Sequence, residues 1–201
     1  MQKVTKFPWS GCGTNKEICG CRFSLSVMSD DYVKKILDAL DMVDTSNVYS
    51  TRDILSTTYR GHQTNVLNTV QEVFMSINDF KTHITLEATL SMGCPGDTED
   101  EIPLELVEIK KEKLLKKFPV HCKFSFYPMG DGNYMDYIAY IVNKAIDLGL
   151  YVGPSHYATM LYGDVDELFK YFHEITKYAH EFIDHFIYQI SLSINSPSAK
   201  K

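Results

Sequence analysis

The sequence predicts an α+β fold made of two tandem ferredoxin-like βαββαβ units, with antiparallel sheets and helices on one face. The main observation is an internal repeat, because residues 32–95 align without a gap on the residues 102 positions later, as Tyr32 does on Tyr134. One inserted residue carries the match upstream, where Cys21 aligns with Cys122. A repeat of this length indicates one supersecondary unit used twice, so a pocket in one half predicts a related pocket in the other.

The first half reads as strand, helix, strand, strand, helix and strand. Apolar residues alternate through 20–28, as in a half-buried strand, and Asp30 is expected to cap a helix with an apolar stripe that starts at Tyr32. Polar residues 45–47 end this helix. The remaining predicted elements are strands at 48–50 and 54–60 joined by a turn at 51–53, a helix at 66–77, and a strand at 83–92.

The second half repeats this order. It predicts a strand at 123–128, a helix at 134–148, a hairpin of 151–152 with 156–162 around Gly153 and Pro154, a helix at 165–182, and a strand at 186–194. The sheet faces away from the helices are not uniformly polar. We therefore expect a second sheet to cover them, either within the chain or across a dimer.

These elements predict four segments. They are an N-terminal extension (1–19), a first repeat (20–96), a linker (97–119) and a second repeat (120–201). Within the linker, residues 102–118 place glutamates ahead of lysines, which suits the dipole of a solvated connecting helix; a basic binding patch is the alternative.

Composition narrows the class of protein. The 201 residues are 44% hydrophobic with a net charge of −6, which indicates a globular chain and disfavours nucleic acid as a partner. No apolar run is long enough for a membrane span, and the N-terminus does not resemble a signal peptide. Five cysteines suit free thiols in the cytoplasm, although Cys12, Cys19 and Cys21 form a weak metal-like cluster.

The sequence offers no clear catalytic set, and we predict no catalytic residue and no bound metal. His83 and His185 are duplicated without a duplicated nucleophile, which favours packing or capping roles, and His156 is expected to be a partly exposed hairpin residue. The enzyme alternative is a thiol-dependent hydrolase that uses Cys94 or Cys12.

Duplicated hydroxyl groups inside strands point to binding. A buried hydroxyl without a partner costs roughly 1–3 kcal/mol, yet both copies keep one at three strand positions. For Thr57 and Thr159 we favour a hydrogen bond to a ligand. The three pairs are Ser24 with Ser125, Thr57 with Thr159, and Ser91 with Ser193.

Several short motifs, in order and at matching intervals, resemble the YkoF family of thiamin- and hydroxymethylpyrimidine-binding proteins. The resemblance covers nearly the whole chain from Cys12 onward. The motifs include Cys12-Gly13-Thr14, Arg22-Phe23-Ser24-Leu25, Ser56-Thr57, Gly93-Cys94-Pro95-Gly96-Asp97, Tyr127-Pro128-Met129 and Asn195-Ser196-Pro197-Ser198.

This resemblance implies a tandem ferredoxin-like monomer, a homodimer, and one pocket per half that holds the aminopyrimidine of thiamin or its precursor. It also implies a functional link to an uptake transporter for the pyrimidine, and binding without catalysis or a cofactor. The residue-based alternative is a structural or regulatory dimer without a ligand.

An aminopyrimidine has an acceptor ring nitrogen beside an amino donor, so a strand backbone can pair with it as another strand would. We predict backbone contacts from Leu25 and Phe126 and hydroxyl contacts from Thr57 and Thr159. Ser24 and Tyr127 are further candidates, and Met28 and Met129 are weaker candidates for contact with the ring.

Overall fold

The computed structural model describes residues 16–94, 101–107, 116–129 and 132–199. The βαββαβ order occurs twice. The strands are Cys19–Val27 (β1), Tyr49–Arg52 (β2), Thr57–Gly61 (β3), Ile84–Met92 (β4), Pro119–Pro128 (β5), Tyr151–Ser155 (β6), Ala158–Asp164 (β7) and Phe186–Ile194 (β8). The helices are Tyr32–Asp41 (α1), Gln63–Ile77 (α2), Tyr134–Asp147 (α3) and Val165–Phe182 (α4). Among the described residues, no helix is long and apolar enough to cross a membrane.

The two repeats share one sheet. Its eight strands follow the order β2-β3-β1-β4-β8-β5-β7-β6, and every neighbouring pair is antiparallel. Each half keeps the ferredoxin-like order, which confirms the predicted fold class. At the join between β4 and β8, Ala88 pairs with Ile190, its own repeat mate. The repeats are therefore related by a local twofold axis through this pair, as in an isologous interface.

The core lies between this sheet and the four helices. Alternate strand residues are buried, so one face of each strand packs against the helix layer. Helices α2 and α4 pack against each other in the middle, while α1 packs on α2 and α3 packs on α4. One continuous hydrophobic cluster spans both repeats. The halves thus share a core larger than either could form alone.

The opposite sheet face is more polar than the sequence suggested. Its central strands carry mainly hydroxyl, amide and carboxylate side chains, a face that can tolerate water. The edge-to-edge join of β4 and β8 also excludes the expected stacking of two sheets within the chain. Stacking across a dimer stays a prediction. The central residues on this face are Thr85, Glu87, Thr89, Ser91, Ile187, Gln189, Ser191 and Ser193.

Three local predictions were wrong. Helix α1 has Asp31, and not Asp30, at its N-cap position. The first hairpin turns at residues 53–56, because the Asp53 carboxylate accepts hydrogen bonds from the N–H groups of Leu55 and Ser56. The second hairpin turns at residues 156–157, after Gly153 and Pro154, which belong to the edge strand β6. Proline has no backbone N–H to donate. An edge strand tolerates it at positions whose backbone faces away from the sheet, because no strand partner is needed there.

The predicted linker helix is also wrong where the structure describes it. Residues 101–107 and 116–118 are not helical, and residues 108–115 lie outside the described part of the chain. The Asn65 side chain explains the extended course of the first segment. It donates to the Glu105 carbonyl at 2.8 Å and accepts from the Val107 N–H at 3.2 Å. These linker backbone groups therefore pair with a side chain of α2, and not with each other as they would in a linker helix.

Candidate functional site

Each repeat contains a cavity between its first helix and the sheet. The first-repeat cavity has a volume of about 210 Å³ and the second-repeat cavity about 300 Å³. The two occupy equivalent places, because Phe23, Leu25 and Thr57 in the first are the repeat mates of Phe124, Phe126 and Thr159 in the second. The first is also lined by Ser24, Ile36, Leu40, Arg52, Asp53, Leu55 and Ser56, and the second by Ser125, Ile138, Ile141, Val142, Ser155, Tyr157 and Ala158.

Both cavities lie where a sheet ladder stops early. Strand β1 pairs with β4 along its full length to Val27, but its ladder with β3 ends at the pair of Phe23 and Thr57. In the same way, the ladder of β5 with β7 ends at Phe124 and Thr159, while β5 continues along β8. The next residues of β1 and β5 therefore have a strand neighbour on one side only.

The hydrogen bonds at the ends of these strands show which backbone groups point to the open side. Met28 donates its N–H to the His83 carbonyl at 3.0 Å, so Met28 directs its backbone groups toward β4. Backbone direction alternates along a strand, and Leu25 lies three positions earlier. Its N–H and C=O therefore point away from β4, toward the first cavity.

The second repeat has the same geometry. Met129 donates its N–H to the His185 carbonyl at 2.9 Å, which directs Phe126 away from β8 and toward the second cavity. Within the described part of the chain, each cavity thus presents one unpaired donor and one unpaired acceptor from the same residue. These are the two residues that the sequence predicted for backbone contacts.

The threonine pair lies beside these backbone groups. Thr57 is 8% exposed and Thr159 is half-buried, and both are on the helix side of the sheet at the cavity wall. The two serine pairs differ, because their strand positions place them on the opposite face. Ser125 there donates to the Tyr157 carbonyl at 2.9 Å, and Ser193 is 3.1 Å from His83 Nε2. The hydroxyl groups of these two serines have protein partners.

Other predicted site residues are placed less favourably. Ser24 contributes to the first cavity wall, but its side chain belongs to the opposite sheet face. Tyr127 also lies on that face, where its hydroxyl donates to Gln189 at 3.3 Å. Met28 and Met129 are exposed beyond the strand ends. The described cavity walls do not include Tyr127, Met28 or Met129.

The sequence missed the hairpin residues at the cavity walls. In the first repeat, Asp53 and Leu55 line the cavity, and Leu55 is 80% exposed. In the second, Tyr157 lines the cavity with 96% of its surface exposed and a positive φ of 62°. A tyrosine whose backbone adopts the left-handed helical conformation is strained. The bond from Ser125 holds this turn in place.

Asp53 places a carboxylate in the wall of the first cavity, which Arg52 also lines. Hydrogen bonds from the backbone N–H groups of Leu55 and Ser56 lower the pKa of its carboxyl group, and nearby Arg22 contributes in the same direction. The corresponding residue of the second repeat is Ser155, which is neutral. The two cavities therefore differ in electrostatics although their backbone geometry is alike.

The histidine and cysteine candidates lie away from the cavities. His156 is exposed in its turn, as predicted. Cys94 follows β4 at the end of the sheet opposite Leu25, and Cys12 lies outside the described residues. Cys19 and Cys21 are buried within β1, where burial raises the pKa of both thiols, that of Cys21 to about 12. Such thiols stay protonated and pack as small apolar groups.

No group of three or more potential metal ligands occurs among the described residues. The chemistry that the two cavities offer is instead recognition of a flat polar ring. One edge of such a ring can pair with a strand backbone, its periphery can bond a threonine hydroxyl, and its faces can contact apolar side chains.

Comparison with known proteins gives two findings. The model of the family described as "YKOF-related Family" matches the chain twice, over residues 18–97 and 119–199. The chain is also 34% identical over 196 residues to the Bacillus subtilis (strain 168) protein named "Putative HMP/thiamine-binding protein YkoF", an alignment that covers 94% of this chain and 96% of that protein.

Proposed function

The chain belongs to the YkoF-related family, and we propose that it binds thiamin or its hydroxymethylpyrimidine part without catalysis, one ligand per repeat. The observation that carries this proposal is the pair of unpaired backbone edges at Leu25 and Phe126, each inside a cavity and each beside a threonine. The name of the Bacillus relative supports the same ligand class.

The aminopyrimidine fits this arrangement by its hydrogen-bond pattern. Its amino group donates to the carbonyl of Leu25 or Phe126, and the adjacent ring nitrogen accepts from the N–H of the same residue. The ring then takes the place of the missing strand residue. Thr57 or Thr159 bonds a further edge atom, and Ile36 and Leu40, or Ile138 and Ile141, offer apolar contacts to its face.

Isothermal titration with hydroxymethylpyrimidine and with thiamin tests this proposal. We expect saturable heat with up to two ligands per chain. Cytosine also has an amino group beside a ring nitrogen, so it is a matched control for stacking and partial hydrogen-bond pairing. We expect cytosine to bind more weakly than hydroxymethylpyrimidine. Absence of heat with both ligands at millimolar concentration would refute the proposal and leave the structural or regulatory dimer as the better reading.

We also propose a cytoplasmic homodimer that supports uptake or salvage of the pyrimidine and is functionally linked to an ATP-dependent transporter. The uncovered sheet face is a surface on which a second copy could pack. Sedimentation velocity checks the dimer. The proposed organisation keeps the extension 1–19, the repeats 20–96 and 120–201, and the linker 97–119, and limited proteolysis checks these boundaries.

A further inference from the structure

The linker covers a surface of the first repeat that stays open in the second. Residues 103–107 lie at the start of α2, where the His62 N–H donates to the Pro103 carbonyl at 3.2 Å. The Asn65 side chain bonds two further backbone groups of the linker. A Cβ atom on Gly61 would lie 2.8 Å from the Pro103 oxygen, so glycine leaves the room that the linker backbone needs. The first repeat thus binds an extended segment of its own chain.

The equivalent place in the second repeat is a cavity of about 470 Å³, the α4 cavity. Its wall includes Gly163, Asp164 and Glu167, which are the repeat mates of the three residues that contact the linker. They lie at the C-terminal end of β7 and the start of α4, whereas Thr159 in the second-repeat cavity lies at the other end of β7. The α4 cavity is therefore separate from the proposed ligand site.

Helix α4 does not need an occupant in this cavity. Its capping box joins the Asp164 N–H to Glu167 Oε2 at 3.1 Å, and Asp164 Oδ1 accepts from the Asp166 N–H at 3.1 Å. The Asp164 N–H is the mate of the His62 N–H that bonds the linker in the first repeat. Two side chains thus satisfy the helix start that the linker satisfies in α2, and the cavity stays open to another molecule.

The α4 cavity is acidic. Its wall carries the carboxylates of Asp164 and Glu167, and its described lining residues include no lysine or arginine. Lys170, further along α4, is already paired with Asp166 at 2.7 Å. A cationic side chain is therefore the group that suits this wall best.

The exchange of Asn65 for Glu167 also changes the hydrogen bonds that the site offers. The Asn65 amide donates to a linker carbonyl and accepts from a linker N–H, whereas a carboxylate only accepts. The linker itself carries Glu101 and Glu105, which the two carboxylates would repel. An occupant that presents donors and positive charge is favoured over one that resembles the acidic linker.

Leu148 and Tyr162 supply the apolar part of the wall. They are 45% and 44% exposed, and both line the cavity. An occupant that places an apolar side chain next to its cation would remove this surface from water, which is favourable.

We propose that the α4 cavity docks an extended basic segment of another protein, in which a lysine or arginine stands beside an apolar residue. The segment takes the place that the linker holds in the first repeat. This interaction surface is separate from the two small-molecule cavities, so ligand and partner can be bound at the same time.

A synthetic peptide tests the inference. The probe has the linker sequence 101–107 with Glu101→Lys and Glu105→Lys, and the unchanged linker sequence is the control peptide. In ¹⁵N NMR titrations of the full chain at low salt, we expect the probe to shift the Gly163 amide signal saturably and the control peptide to bind about fivefold more weakly. The Gly61 signal should not move, because the linker already occupies that site. About 0.5 M salt should remove most of the difference between the peptides.

Glu167→Gln removes one charge from the wall but keeps an acceptor for the capping box. We expect it to weaken binding of the probe about threefold, while Glu181→Gln, at the opposite end of α4, should leave binding unchanged. The inference is overturned if the two peptides shift the Gly163 signal alike, if neither shifts it, or if the two variants bind the probe equally.

Two further results would identify a different occupant and also overturn the inference. Dissociation of a dimer by the probe in sedimentation velocity would show that a second copy fills the cavity. Binding of the probe only after Lys3→Glu and Lys6→Glu would show that the basic N-terminus of this chain fills it. None of these outcomes bears on the proposed function, which calorimetry with hydroxymethylpyrimidine tests separately.

Discussion

Phe23 and Thr57 form the last pair of the ladder between β1 and β3. Past this pair β3 gives way to a turn, while β1 continues for four residues with backbone groups that meet a cavity in place of a strand. The same ending recurs at Phe124 and Thr159. The open backbone edge thus results from unequal strand lengths and needs no special side chain.

Hydrogen exchange should reveal this edge directly. We expect the amide protons of Leu25 and Phe126 to exchange rapidly in the free protein, and to be protected about tenfold or more by hydroxymethylpyrimidine. The amides of Met28 and Met129 are internal controls, because they already donate to the carbonyls of His83 and His185. Protection of Leu25 and Phe126 without ligand would contradict the proposed edge.

Replacing each threonine should affect one site only. Thr57→Val removes a hydroxyl with little change in shape, and we expect it to weaken the first site by about 1–3 kcal/mol, because the ligand atom that it binds loses its partner. Thr159→Val should do the same at the second site. Two-site calorimetry measures both, and the Thr→Ser variants should restore binding. Equal losses at both sites from either change would show that the cavities are not independent.

Tyr171 stabilises the wall of the second cavity. Its hydroxyl is buried and donates to the carbonyl of Ile141, a cavity residue, at 3.0 Å. Tyr171→Phe should lower the free energy of unfolding by about 0.5–1.5 kcal/mol and weaken the second site, but not the first. Urea denaturation and NMR titration measure the two effects. Tyr178→Phe, in a half-buried ring of the same helix, is the control and should cost less.

His173 makes stability depend on pH. It lies between the central helices with Nε2 2.9 Å from Asn68 Oδ1, and burial lowers its pKa to about 4. The unfolded chain, with a histidine pKa near 6.5, binds more protons below that pH. Stability from this group should therefore be full above about pH 6.5 and decline as pH falls toward 4, by on the order of 3 kcal/mol.

Thermal unfolding between pH 4 and 7 measures this slope. His173→Gln removes the titrating ring and should reduce the slope over that interval; the part that remains comes from His62 and His185, whose pKa values burial also lowers. The prediction is wrong if the variant keeps the slope of the unmodified protein.

The sequence alone determined the duplication, the βαββαβ order and the residues at the cavity edge. Residue identities 102 positions apart show the duplication. Hydrophobic periodicity predicts the order of the elements, and α4 and β8 match their predicted bounds. The choice of Leu25 and Phe126 followed from the resemblance to the YkoF family, since the aminopyrimidine that it implies needs a paired donor and acceptor; their role in binding stays a prediction. Turn positions were less predictable. The Asp53 side chain accepts hydrogen bonds from backbone N–H groups, and the Asn65 side chain bonds a backbone C=O and N–H. Hydrophobic patterns do not predict such side-chain bonds.

Only the tertiary structure decided how the halves join and which hydroxyls face a cavity. Pairing of β4 with β8 depends on two strands 102 residues apart, and no local pattern records that register. The same holds for the first cavity, whose wall brings together Leu25 of β1, Leu40 of α1 and Ser56 of the hairpin turn. Strand residues alternate between faces, so Phe23 packs in the core while its neighbour Ser24 has its side chain on the opposite face of the sheet.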